Sequence, residues 1–169
     1  MTARQLRLFG AGSVGLLVLV LDTACQQSHA GSTASAGSPG IVVGQRIGPV
    51  HVGESRALVT KALGHGVVVE REGNRFRFYA KAGIYVAYPP RTRDRADIVS
   101  TRSARYKTAS GIGVGSSLRQ LRAAMAVNCY STDERWLLCT PGSASLAWFR
   151  ISKSSERITE IGITSEEIF

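Results

Sequence analysis

Val50–Leu63 (VHVGESRALVTKAL) is echoed 62 residues later by Ile112–Met125 (IGVGSSLRQLRAAM). Val52/Val114, Gly53/Gly115, Ser55/Ser117 and Ala62/Ala124 are identical. In each stretch a short extended piece turns at glycine into a helix that a serine can cap. Ser117-x-x-Gln120 has capping-box spacing, so two orphan backbone donors at the helix start can be satisfied reciprocally. Leu58, Val59, Ala62 and Leu63 fall at helical spacing in the first copy, and Leu118, Leu121 and Met125 in the second.

Working outward, each helix leads into a series of short segments rich in Val, Ile, Tyr, Phe and Trp. In the first copy these are Val67–Arg71, Arg75–Tyr79, Gly83–Tyr88 and Asp97–Ser103; in the second, Asn128–Ser131, Arg135–Thr140, Ser145–Ile151 and Arg157–Thr164. Turn residues separate them, among them Glu72-Gly73-Asn74, Pro89-Pro90 and Pro141-Gly142. The same offset places Ile84 and Val86 on Leu146 and Trp148, and Val99 and Thr101 on Ile161 and Ile163. This pattern predicts an α+β fold of two tandem units, residues 41–107 and 108–169, each a short helix packed on a roughly four-stranded antiparallel meander. One sheet face would carry the helices and the opposite face would be open.

The Val-Gly-x-Ser helix entry, the strands that follow it and a Cys pair within one unit resemble the tandem helix-plus-four-strand repeats of the β-lactamase inhibitor protein family. A more distant likeness is to the small BamE/OmlA-like outer-membrane lipoprotein modules. The resemblance covers about residues 47–164. It implies a secreted protein-binding scaffold, with no contact residue carried over. The units here are shorter, and the first lacks a Cys pair.

The start of the chain reads as an address. Arg4 and Arg7 form a positive region ahead of an apolar run ending in Leu16–Leu21 (LLVLVL). The apolar stretch from Leu8 to Leu21 is shorter than the roughly 20 residues a membrane span needs, so residues 1–24 are expected to be a signal peptide. Leu21-Asp22-Thr23-Ala24-Cys25 resembles a bacterial lipoprotein box, in which Cys25 would be lipidated, although Asp22 departs from the aliphatic residue usual there. Cleavage after Ala30 or Ala36 by an ordinary signal peptidase is the alternative. Either route exports the protein. Residues 25–40, rich in Ser, Gly and Ala, read as a linker that cannot bury enough surface to offset its ordering entropy.

Few residues invite chemistry. Cys129 and Cys139 lie in neighbouring predicted strands of an exported chain, which favours a disulfide and leaves Cys25 as the odd cysteine. Gly111-Ile112-Gly113-Val114-Gly115-Ser116-Ser117 has no Gly-Lys-Ser/Thr ending and no βαβ context, so it reads as a structural turn and not a phosphate loop. His29, His51 and His65 have no metal-binding spacing, and no catalytic set can be picked out. No catalytic residue, metal or cofactor is expected.

Charge is the uneven feature. The chain carries +9 overall, and residues 25–107 hold 13 Lys/Arg against 5 acids, while residues 108–169 hold 6 of each. Arg75, Arg77 and Tyr79 alternate with Phe76 and Phe78; Arg91, Arg93 and Arg95 follow Pro89-Pro90; Tyr85 alternates with Ile84 and Val86. Arg75, Arg77, Tyr79, Tyr85, Arg91, Arg93 and Arg95 are therefore the candidate partner-binding residues, with a protein or an anionic envelope component as partner and the membrane reached through the lipid anchor. Nucleic acid is not expected for an exported chain. The functional expectation is a non-enzymatic binding protein of the bacterial cell envelope, lipid-anchored or secreted, acting through its open sheet face. A secreted hydrolase, or an enzyme accessory or inhibitor, is the alternative.

Overall fold

The computed structural model describes residues 40–142 and 146–166. The expected signal peptide, the lipidation site Cys25 and the linker up to residue 39 lie outside the described residues.

Three two-residue strands come first: β1 (Ile41–Val42), β2 (Arg46–Ile47) and β3 (Val50–His51). They form a small antiparallel sheet in which Ile41 pairs with Ile47 and Ile47 with Val50. All three of those side chains are buried. Helix α1 (Arg56–Leu63) follows, then β4 (Val67–Arg71), β5 (Asn74–Tyr79), β6 (Ile84–Ala87), a 3-10 turn at Pro90–Thr92 and β7 (Ile98–Thr101). Helix α2 (Leu118–Ala124) leads into β8 (Val127–Ser131), β9 (Trp136–Pro141), β10 (Ala147–Ser152) and β11 (Arg157–Thr164).

Both helices start as their serines require. Ser55 Oγ accepts from the Leu58 amide at 3.4 Å. At α2 the capping box is complete: the Gln120 amide donates to Ser117 Oγ at 3.2 Å and the Ser117 amide to Gln120 Oε1 at 2.8 Å. Each helix is short and has a single fully buried residue, Val59 in α1 and Leu121 in α2. Isolated helices of this length are unstable in water, so they depend on packing against the sheet.

The eight longer strands make one antiparallel sheet in the order β4-β5-β6-β7-β11-β10-β9-β8. This corrects the expected α+β fold of two helix-plus-meander units. The molecule is mostly β, with one eight-stranded sheet, one three-stranded sheet and two short helices. The physical reason lies at the centre of the large sheet. There β7 and β11 pair directly, with Val99 opposite Ile163 and Thr101 opposite Ile161, and all four side chains are buried. They belong, or lie beside, a single core with Ile84, Val86, Phe149 and Ile151, so no boundary divides the hydrophobic interior.

The 62-residue offset also breaks in the sheet. Ile84 and Val86 are buried on the helix-bearing face, whereas Leu146 is exposed and Trp148 lies on the other face, because it is Ala147 and Phe149 that face the core. A slip of one residue exchanges the faces of a strand.

A concave sheet face as the candidate functional site

Strand alternation and register decide which side chains face away from the helices. Ile84 and Val86 point to the core, so Tyr85 and Ala87 take the other face, and with them Phe78 and Phe76, their cross-strand partners. Val67, Val69 and Arg71 join them from β4. At the other end, Phe149 and Cys139 are core-facing partners, which leaves Trp148 and Arg150 of β10 and Trp136 and Leu138 of β9 on the same open face.

The aromatic groups pack against one another and against the backbone. Phe78 stacks on Tyr85 with ring centroids 4.4 Å apart, and Phe76 meets Tyr85 edge-on at 6.5 Å. Trp148 lies over Gly162 of β11, where a Cβ would come within 2.2 Å of the indole. Glycine is required there for the ring to lie on the strand.

Glu160 of β11 is the hub of an ionic lattice on this face. It is 1% exposed. Arg71 donates to both of its carboxylate oxygens, at 3.0 and 2.7 Å, Arg102 Nε donates at 3.0 Å and Ser100 Oγ at 2.9 Å. Arg150 Nη1 lies 3.6 Å from the same carboxylate and binds Glu72 through two further bonds of 2.5 and 2.7 Å. Burial pushes the Glu160 carboxyl up, but the bonds and charges of Arg71 and Arg102 outweigh it and hold the group below its ordinary value. The hydrogen bond from Arg150 holds Glu72 down in the same sense. Arg71 also lies over the Tyr85 ring at 4.4 Å, and Arg150 near Trp148 at 5.8 Å.

This lattice defines the curvature of the sheet. Arg71 is on the edge strand β4, and Glu160 is four strands away. In a flat sheet those strands would be about 19 Å apart, beyond what the two side chains can bridge. A bidentate contact at 2.7–3.0 Å therefore requires the sheet to coil, bringing the β4–β5 turn over toward β10 and β11. The open face is concave. Toward its far side lies a cleft of about 280 Å³ floored by Ile98, Leu138 and Trp148, with Arg91, Asp97, Arg150 and Glu166 around it. Buried Asp97 accepts from Arg91 at 2.8 Å and also bonds the Ser165 hydroxyl, which ties the rim of the cleft to the end of β11.

The candidate partner-binding residues are divided by this geometry. Tyr85 is on the concave face and Arg91 on the rim of its cleft. Arg75, Arg77 and Tyr79 belong to the opposite, helix-bearing face, since Arg77 pairs with Val86 and Tyr79 with Ile84. Tyr79 is buried, with its hydroxyl 3.3 Å from that of Tyr88, and Arg77 donates to the Gly66 carbonyl at 2.7 Å. Arg93 and Arg95 flank α1. Sequence reasoning missed Glu160, Arg71, Arg102 and Arg150. One signal was legible in Arg157–Thr164 (RITEIGIT): an acid set among isoleucines in a strand buried over most of its length needs a cationic partner.

Cys129 and Cys139 sit opposite each other on β8 and β9 and form a disulfide. Gly115 has a positive φ of 91° in the turn before α2, as its place at the helix entry requires. Among the described residues no three His, Cys, Asp or Glu side chains converge as metal ligands, and no helix is long and apolar enough to cross a membrane.

No protein-family model matches the chain, and no curated protein matches it. Among solved structures it is similar to the uncharacterised protein YfeY from Escherichia coli, at 10% sequence identity over 72% of this chain and 95% of that one, with a TM-score of 0.45.

Proposed function

We propose that this chain is an exported, non-enzymatic binding protein of the bacterial cell envelope, tethered through a lipid on Cys25, that grips a protein partner in the concave face of its sheet. The observation that carries the reading is the composition of that face. Tyr85, Phe76, Phe78 and Trp136 offer aromatic surface on the face whose cleft Trp148 floors, and the charges of Arg71, Arg150, Glu72 and Glu160 on it are already paired with one another. Tyr, Trp and Arg are the residue types that dominate binding hot spots. The leader and the Ser/Gly/Ala-rich linker of the sequence support export and tethering.

Two measurements test this. Intact mass of the protein purified from its host should show a diacylated species beginning at Cys25; a start near Gly31 or Gly37 replaces the tether by soluble release. Chemical cross-linking in the host should then join the wild-type chain to a discrete partner, and the Trp136→Ala/Trp148→Ala variant should lose it while keeping a native circular dichroism spectrum. Equal capture by both proteins rejects the concave face as the binding surface.

A further inference from the structure

The basic excess of residues 25–107 is not spent on the concave face. There Arg71, Arg102 and Arg150 are each matched by Glu160 or Glu72. A group of cations without ion pairs gathers on the other side of the molecule, around α1. A cleft of about 770 Å³ between α1 and the turn after the 3-10 segment is lined by Arg56, Lys61, His65, Arg93, Asp94 and Arg95, among others. A second groove of about 670 Å³ shares Arg56 and Asp94 with it and runs on past Arg75, Arg77 and Tyr88 to Arg91, Asp97 and Ile98, which also line the cleft of the concave face. The two adjoin at the Arg56–Asp94 ion pair and together make a basic trough.

The acids that line it, Asp94 and Asp97, are already engaged. Asp94 is bound by Arg56 at 2.6 Å, Asp97 by Arg91, and the Glu54 carboxylate accepts from the His51 amide at 3.0 Å. Glu70 is opposite Arg75 in register without an ion pair between them. Among the described residues Lys61, Arg75 and Arg93 have no side-chain hydrogen bond or ion pair, and Arg77 and Arg95 bind only the backbone carbonyls of Gly66 and Gly53. The chain bends sharply where it presents Arg93: Arg93 and Asp94 have φ of 48° and 67°, a left-handed conformation costly for residues other than glycine. A row of guanidinium and ammonium groups without ion pairs along a trough attracts a chain of regularly spaced anions, and arginine forks match phosphate oxygens in particular. The concavity argues against a membrane plane, which a flat or bulging basic surface meets better.

We propose that this trough binds a linear phosphate-bearing polyanion through Lys61, Arg75, Arg77, Arg93 and Arg95, which lie off the concave protein-binding face, although its far end meets that face at Arg91. Inorganic polyphosphate is the probe. Calorimetric titration of the full chain should show binding that weakens as salt is raised. In the Lys61→Gln/Arg75→Gln/Arg93→Gln variant the affinity should fall, and the slope of log K against log salt should become shallower by about 2, as expected for three lost phosphate contacts on a single-stranded polyanion. Arg119→Gln/Arg122→Gln/Arg135→Gln removes the same charge from exposed positions away from the trough and should leave both readings close to wild type. An equal loss in the two variants reduces the effect to net charge and overturns the proposal. So does an absence of polyphosphate binding, including the case in which phosphatidylglycerol vesicles bind the chain and the trough variant abolishes it, because the surface is then membrane-facing. The Trp136→Ala/Trp148→Ala variant should bind polyphosphate normally, which separates this site from the protein-binding one.

Discussion

Glu160 is a single carboxylate that three arginines approach in the middle of a sheet. Removing its charge leaves Arg71 and Arg102 facing a neutral amide, so Glu160→Gln should lower the stability to urea by about 3 kcal/mol, the cost of breaking a buried ion pair from one side. The same residue sets a response to acid. Its carboxyl is held below the ordinary value of 4.5 in the folded chain, so its contribution is complete above that pH and is lost as pH falls through the lower folded value. Glu72 acts in the same direction. The midpoint of thermal unfolding should therefore drop below pH 4.5 more steeply in wild type than in Glu160→Gln. At Gly162, substitution by alanine places a methyl group inside the space of the Trp148 ring. It should displace the indole, read as a change in tryptophan fluorescence and near-ultraviolet circular dichroism with little change in the far-ultraviolet spectrum. The need for a partner to Glu160 could be read from its isoleucine-rich strand. The identity of that partner could not, because Arg71 lies 89 residues earlier and meets it only through the coil of the sheet.

At the scale of elements the two helix caps differ in quality. Ser117→Ala removes the side-chain half of a capping box, leaving the Ser117 backbone amide on Gln120 Oε1, and should cost about 1 kcal/mol in urea unfolding. Ser55→Ala removes one longer bond and should cost less. The Cys129–Cys139 bridge closes a loop with a sequence separation of 10, for which chain entropy gives about 2.8 kcal/mol. Double substitution to serine should destabilise the protein by up to that amount, measured against the oxidised wild type. Helix starts and strand positions were legible in the sequence because they depend on local features: serine caps, glycine turns and runs of β-branched and aromatic residues. The eight expected strands coincide with β4–β11 to within a few residues at each end. The faces were not legible. Arg75-Phe76-Arg77-Phe78-Tyr79 alternates equally well in either orientation, and only pairing with β6 places the phenylalanines outside and Tyr79 within. Strands β1 and β2 escaped notice because two residues carry no periodicity, whereas β3 falls in the extended piece expected ahead of α1.

Across the whole molecule, the two surfaces have opposite electrostatic character. The charges of the concave face are paired within it, and the α1 side carries Lys61, Arg75, Arg77, Arg93 and Arg95 without ion pairs. Binding of a protein partner in the concavity should consequently depend weakly on ionic strength, whereas attraction of anions to the trough should be screened over a distance of about 8 Å at physiological salt. The two-unit expectation failed at this same scale. Near-repetition along the chain says which segments form strands, but not that β7 and β11 zip together into one sheet with a common core. That pairing has a consequence for the order of events as the polypeptide is synthesised. β11 is the latest of the described strands in sequence yet lies fourth from one edge, flanked by β7 and β10. Until it arrives, β7 has a bare flank and Val99 lacks its opposite number Ile163, so the earlier strands wait as an unfinished intermediate. The last strand to appear is the keystone, and a chaperone that shields the β7 flank would guard the newborn chain at its most vulnerable moment.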